Sequence, residues 1–318
     1  MRELQPVSIP LPPTAPDDPR VGRLLGQDLS SADEASVVLI GFPTDEGVKR
    51  NVGRPGAAQA PDAIRRQLFK LTPDPERFGA FTSLLRRTAD LGNLTTTDDL
   101  ENDQHALGET LAPHLARGAI GIILGGGHET AYGHFLGYAL QQRPVSILNW
   151  DAHADVRPLI QGKAHSGSPF RQALEHPSQL CQRYQVGGLN PATVAKSHLE
   201  YITQRQGSCT FNHQIDRESI ARLYGSSPGV TLVTFDLDAV DQAAAPGVSA
   251  PGCGGIAVNL WLEAALQAGK SPLVRSVDIV ELNPLFDVDH RTARLAALTL
   301  WRFYQGMCDR HQVSAGQR

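Results

Sequence analysis

Six short runs rich in Val, Ile and Leu, separated by helix-like stretches, constrain this chain most. They are Ser36–Phe42, Ile120–Leu124, Val145–Trp150, Tyr184–Val186, Val230–Phe235 and Val274–Val280. A strand with one wet face alternates apolar and polar residues. These runs do not, so they read as strands buried on both faces. Helix candidates lie between them: Pro61–Lys70, Thr110–Arg117, Ala131–Gln142, Asn259–Ala268 and Thr292–Gln305. Strands alternating with helices imply βαβ units and a mainly parallel sheet. No linker or internal repeat divides the chain, so residues 1–318 read as one α/β domain. The proline-rich residues 1–20 read as an extended N-terminal arm.

In an open α/β sheet, ligands bind at the carboxyl ends of strands, so the informative residues stand where apolar runs stop. Three places fit. His128 follows one run in IILGGGHET. Asp151, His153 and Asp155 follow another in ILNWDAHADVRP. Asp236 and Asp238 close a third in VTFDLDAVD. In an extended segment, positions i, i+2 and i+4 face one side, so these side chains are expected to converge. Four clustered aspartates repel one another unless cations compensate. Their four negative charges match two divalent cations. Oxygen and imidazole ligands without thiolate suit Mn²⁺ better than structural Zn²⁺. Two such metals roughly 3.5–4 Å apart lower the pKa of a shared water toward neutrality.

Composition narrows the class. A formal net charge of −4 and a pI near 6.3 argue against nucleic-acid binding. No apolar run suits a signal peptide or a membrane span. The four cysteines, Cys181, Cys209, Cys253 and Cys308, include no C-x-x-C pair and read as free thiols of a reducing compartment. A cytoplasmic protein acting on a small molecule is the expectation.

The segments GGGHE, DAHAD and FDLDAVD resemble the three metal motifs of the ureohydrolase (arginase–agmatinase) superfamily. The resemblance extends from Gly41 to about Tyr304. It implies a three-layer α/β/α sandwich, a mainly parallel sheet of about eight strands, two Mn²⁺ ions and a homo-oligomer. One ion would take His128, Asp151, Asp155 and Asp236. The other would take Asp151, His153, Asp236 and Asp238, so that Asp151 and Asp236 bridge. The commoner first motif is GGDHS. Here Gly127 and Glu129 flank the retained His128.

Further segments resemble the formimidoylglutamase subgroup: GFPTDEGVKRNVGRPGAAQAPDAIR, GGGHETAYGHF, SGSPFRQ and VDIVELNP. That likeness implies hydrolysis of N-formimidoyl-L-glutamate to glutamate and formamide, a step of histidine degradation. A substrate with two carboxylates calls for basic residues beside the metals. Arg157 and Arg171 are the candidates, with Arg50 and Arg54 behind them, because an Arg fork holds a carboxylate through two hydrogen bonds. Ser166 lies in the same substrate loop. Glu281 would grip the protonated formimino group. Asp238, or a shuttle in the position of His165, would pass a proton to the leaving amine. Aligning SGSPF on the family pattern puts Phe170 rather than His165 at the shuttle position. His134 reads as structural. The competing readings are a ureohydrolase acting on a guanidino acid or agmatine and releasing urea, a one-Zn²⁺ deacetylase-like enzyme, and a non-catalytic regulator.

Overall fold

A computed structural model describes residues 2–15 and 17–315, apart from the side chains of 311–315. Met1 and Pro16 of the arm, and residues 316–318 of the expected domain, lie outside the described residues. The strands are β1 (Leu4–Gln5), β2 (Val37–Phe42), β3 (Thr88–Leu94), β4 (Ile120–Gly125), β5 (Val145–Trp150), β6 (Cys181–Leu189), β7 (Ser208–Phe211), β8 (Thr231–Asp236) and β9 (Val274–Val280). They form a single sheet in the order β1-β3-β2-β4-β9-β8-β5-β6-β7. All pair in parallel except β1, which joins β3 antiparallel through Leu4↔Leu94 and Gln5↔Asn93. The start of the arm therefore adds an edge to the sheet.

The helices are α1 (Val21–Leu24), α2 (Glu46–Arg50), α3 (Ala60–Leu68), α4 (Phe78–Arg86), α5 (Leu100–Ala116), α6 (Thr130–Ala139), α7 (Pro169–Leu174), α8 (Lys196–Gln204), α9 (Arg217–Gly225), α10 (Val258–Lys270) and α11 (Arg291–Ala315). Alternate residues of the central strands face opposite helix layers. Leu39, Ile122, Trp150, Phe235 and Ile279 pack with Ile64 of α3, Trp261 of α10 and Phe303 of α11. Ile40, Ile123, Ile147, Val186 and Leu232 pack with Leu107 of α5 and Phe135 of α6. Helices on both faces explain why the strands lack alternation. The expected three-layer α/β/α sandwich is the observed fold.

Three strands carried no apolar run to announce them: β1, β3 and β7. In β3, Asp90 and Asn93 accept hydrogen bonds from the buried Arg65 of α3 at 2.6–2.9 Å. The polar side chains of β3 thus serve a buried cation. β7 is a four-residue, half-buried edge. Between α10 and α11, the backbones approach so closely that a Cβ on Gly269 would stand 2.2 Å from the Phe303 carbonyl oxygen. Only glycine permits that contact.

The topology also assembles the site. Strands β4, β9, β8 and β5 are consecutive neighbours at the middle of the sheet. Asp236 pairs with Val280, and Trp150 with Phe235, so the carboxyl ends of these strands lie level.

Candidate metal centre

His128 follows β4 through the turn Gly125–Gly127, where the backbone passes against Thr44. A Cβ on Gly126 would lie 1.8 Å from the Thr44 carbonyl oxygen, so the run of glycines serves close approach. The His128 ring is held by Thr234 Oγ1 at 2.9 Å from Nε2 and by the edge of Phe170, 5.2 Å away. Its Nδ1 then lies 3.2, 3.0 and 3.0 Å from oxygens of Asp151, Asp155 and Asp236. These four residues form one group able to hold a cation; Asp151, His153 and Asp238 form a second. Asp151 is common to both groups, whereas Asp236 belongs to the first alone.

The ligand-type side chains converge, but not on an extended segment. Asp151 Oδ1 accepts the His153 N–H at 2.6 Å, and Asp155 has a φ of +46°. Asp236 likewise accepts the Asp238 N–H at 2.8 Å as the chain enters a single 3₁₀ turn. Each carboxylate thus folds its own following turn, as Asp does when it bonds the backbone two residues on.

The electrostatics favour a cation. Burial and the neighbouring Asp238 and Asp151 push Asp236 well above the usual carboxylate range. Burial also raises Asp238, although His153 opposes the shift. Burial works against the charge of Asp151, yet His128 and His153 hold its carboxyl below the usual range. Asp238, followed by Asp151, drives His153 upward. His128 Nδ1 and Asp238 Oδ1 are buried and lack a hydrogen-bond partner. A buried nitrogen between three carboxylate oxygens, with a second orphaned oxygen nearby, is an arrangement that divalent cations satisfy and that is costly without them. The residues present fit a pair of such ions.

Glu281 follows β9 with a φ of +68°. Its Oε1 accepts the His128 N–H at 2.6 Å, which leaves Oε2 buried and unpartnered. Burial raises its carboxyl to about 7. A cleft of about 290 Å³ opens over these residues, lined by His153, Asp155, Asp236, Asp238 and Glu281 on the metal side. Asn51, Arg54, Arg157 and Ser166 line it as well. Arg157 and Ser166 thus stand where the sequence places them.

Three expectations are corrected. Arg171 does not reach the cleft. Pro169 starts α7, so Phe170 turns inward onto Tyr184 at 4.7 Å while Arg171 turns away to pair with Glu175 at 3.1 Å and cover Tyr201. His165 is buried and occupied: Nε2 faces the Pro158 carbonyl at 3.0 Å, and Nδ1 accepts the Gly167 N–H at 3.1 Å. With both ring nitrogens spent on its own loop, it has no free nitrogen for a proton shuttle. Arg50 is taken up by Glu46 and Glu101 at 3.1 and 2.8 Å. Arg54, by contrast, lines the cleft, bonded to the Val248 and Ser249 carbonyls and stacked on Phe286 at 4.1 Å.

Sequence reasoning missed Asn51 and Ser249. Asn51 sits between the two arginines weighed in KRNVGRPG, which was the available signal. Ser249 carries none. His134 is structural, its ring held by Asp278 at 2.7 Å and by Ser276.

Comparison with known proteins agrees with this geometry. The arginase family model matches residues 35–305. The formimidoylglutamase of Rhodococcus jostii (strain RHA1) is 37% identical over 290 residues, 85% of this chain and 86% of that protein. That of Geobacillus kaustophilus (strain HTA426) is 36% identical over 288 residues, 86% of this chain and 84% of that protein. The crystal structure of Trypanosoma cruzi formiminoglutamase with Mn²⁺ superposes with a TM-score of 0.85 at 31% identity, covering 92% of this chain and 100% of that one.

Proposed function

The chain belongs to the arginase family, and on that premise we propose that it hydrolyses N-formimidoyl-L-glutamate to L-glutamate and formamide. It is a hydrolase acting on carbon–nitrogen bonds of linear amidines. The observation that carries the substrate is the cleft itself. His128, Asp151, Asp155 and Asp236 would hold one Mn²⁺ ion and Asp151, His153 and Asp238 the other. His153, Asp155, Asp236 and Asp238 line the cleft together with Arg157 and Arg54.

When bound, the two ions supply Lewis acidity and an activated water at neutral pH. The chain's own residues do the rest. Glu281, fixed through Oε1 by the His128 amide, turns Oε2 to the cationic formimino group and orients its carbon. Arg157 holds a carboxylate at the opposite end, and Ser166 assists it. Asp238 carries the proton to the leaving amine. Overall, water adds across the amidine C–N bond, glutamate leaves with the proton on its nitrogen, and formamide retains the former water oxygen.

A guanidino acid presents one carboxylate and agmatine none, so neither uses two arginines. The formimidoylglutamase relatives favour the first reading. Under it the enzyme is a cytoplasmic homo-oligomer; Cys181, Cys209, Cys253 and Cys308 are free, as a reducing compartment requires. The deciding experiment incubates the Mn²⁺-loaded protein with formimidoylglutamate, guanidinobutyrate, arginine and agmatine. Formamide from the first is expected, and urea from any of the others as the main product would refute the proposal.

A further inference from the structure

At the mouth of the cleft, α2 ends in a hydrogen-bond pattern that normally calls for glycine. The Gly53 N–H reaches back to the Val48 carbonyl at 2.8 Å, and the Val52 N–H to that of Lys49 at 3.0 Å. This six-to-one closure puts the residue after the helix cap in the left-handed region, where glycine or asparagine is usual. Here that residue is Val52, with a φ of +61°. Among the described residues it is the one β-branched side chain with positive φ. Branching at Cβ makes this conformation especially unfavourable. Val52 gains nothing from burial in exchange, because it is 92% exposed. Its side chain lines the cleft, between Asn51 and Gly53.

A strained, solvent-exposed valine is kept at a site for what it touches when the site is filled. Apart from the buried Val48, the small Ala250 and Gly53, the rest of the cleft lining is charged or polar, with His153, Asp155, Asp236, Asp238, Glu281 and the two arginines prominent, so Val52 is its largest exposed apolar side chain. The substrate is not uniformly polar. Two methylene groups join the carbon bearing the formimino nitrogen to the distal carboxylate. They need apolar cover if the ends are to be gripped by Glu281 and Arg157. We propose that Val52 is a specificity-determining residue, the apolar lip that packs on the methylene chain of the bound substrate. This inference rests on the proposed substrate.

The test is steady-state kinetics of the full-length, Mn²⁺-loaded protein with formimidoylglutamate, beside melting and sedimentation of the same samples. Val52→Gly and Val52→Asn remove the apolar group and accept the left-handed conformation. Both are expected to raise KM about three- to tenfold with kcat within about twofold. Both should also raise Tm by about 1–3 °C, since the strain is released. Val52→Ile keeps the lip and should keep the wild-type KM. Unchanged KM in the Gly and Asn variants would overturn the proposal, as would a change of oligomeric state with KM unaltered. If the unmutated protein releases no formamide, it is the substrate assignment that fails.

Discussion

Arg157 Nη1 donates to Asn51 Oδ1 at 3.1 Å, while Asn51 Nδ2 donates to Ser166 Oγ at the same distance. One amide therefore joins an arginine placed two residues past Asp155 to a serine of the next loop. Asn51 is itself anchored through its N–H to the Gly47 carbonyl, which also accepts the Ser166 N–H. The Gly47 N–H in turn reaches Glu129 Oε1 at 2.8 Å, next to His128. The arginine end of the cleft is tied through backbone to the metal end.

This linkage makes Asn51 a positioning residue for Arg157. Asn51→Ala should raise KM for formimidoylglutamate about three- to fivefold and leave kcat nearly unchanged. Arg157→Ala should raise KM about tenfold, at the lower end for a charge-assisted bond because the arginine is exposed. The double variant should then cost little more than Arg157→Ala alone. Full additivity of the two effects on KM would show that Asn51 does not act through Arg157.

Metal content gives a second prediction. Asp151 is shared by both ligand groups, whereas Asp155 belongs to the first alone. Asp151→Ala should therefore leave near zero Mn²⁺ per chain, and Asp155→Ala about one. Elemental analysis after gel filtration reads this directly. Chelation of the wild type should lower its Tm. At a metal concentration of 100 times Kd, re-addition restores about 2.7 kcal/mol per ion. Equal metal loss in the two variants would contradict the shared role of Asp151.

The metal side of the site was legible because its residues follow the ends of adjacent buried strands. Apolar runs announce such strands, and the sheet order β4-β9-β8-β5 then sets their ends side by side. The polar strand β3 was not legible, because its Asp90 and Asn93 are explained only by Arg65, which arrives from α3. The substrate side was read unevenly for a related reason. Arg157, Arg171 and His165 are alike in sequence terms, each close to a metal motif. Which one faces the cleft depends on where α7 starts and on which carbonyl takes the His165 proton. Those are tertiary facts, and spacing carries no trace of them.

His165 yields a third prediction. Its two hydrogen bonds close the loop between Pro158 and Gly167. His165→Ala leaves the buried Gly167 N–H without a partner and releases the carbonyl of the exposed Pro158, and should cost about 1–3 kcal/mol of stability. A shuttle would shape the pH dependence of kcat, and a loop clasp would not. The residual activity of the variant should keep the wild-type pH profile. Loss of one limb of that profile, with stability intact, would restore the shuttle role.

The segment carrying Asn51, Val52 and Arg54 is closed by Asp45, and this closure should respond to pH. Asp45 Oδ2 accepts the Gly56 N–H at 2.6 Å, and Oδ1 pairs with Lys49 Nζ at 2.8 Å. Burial disfavours the charge on Asp45, but the bonds from Lys49 and Gly56 outweigh it and hold the carboxyl below its usual value. A carboxyl depressed in the folded state stabilises the fold at pH values above its unfolded pKa, near 4. That contribution disappears as the pH falls through the lower, folded value. Asp45→Asn should therefore cost about 1–2 kcal/mol at pH 7, where the charged pair is intact. The gap between variant and wild type should narrow steadily below about pH 4. Urea unfolding of both proteins from pH 7 to pH 3, without added metal, measures that gap. A gap that stays constant across the range would mean that Asp45 contributes by shape alone and that its charge is irrelevant to the closure.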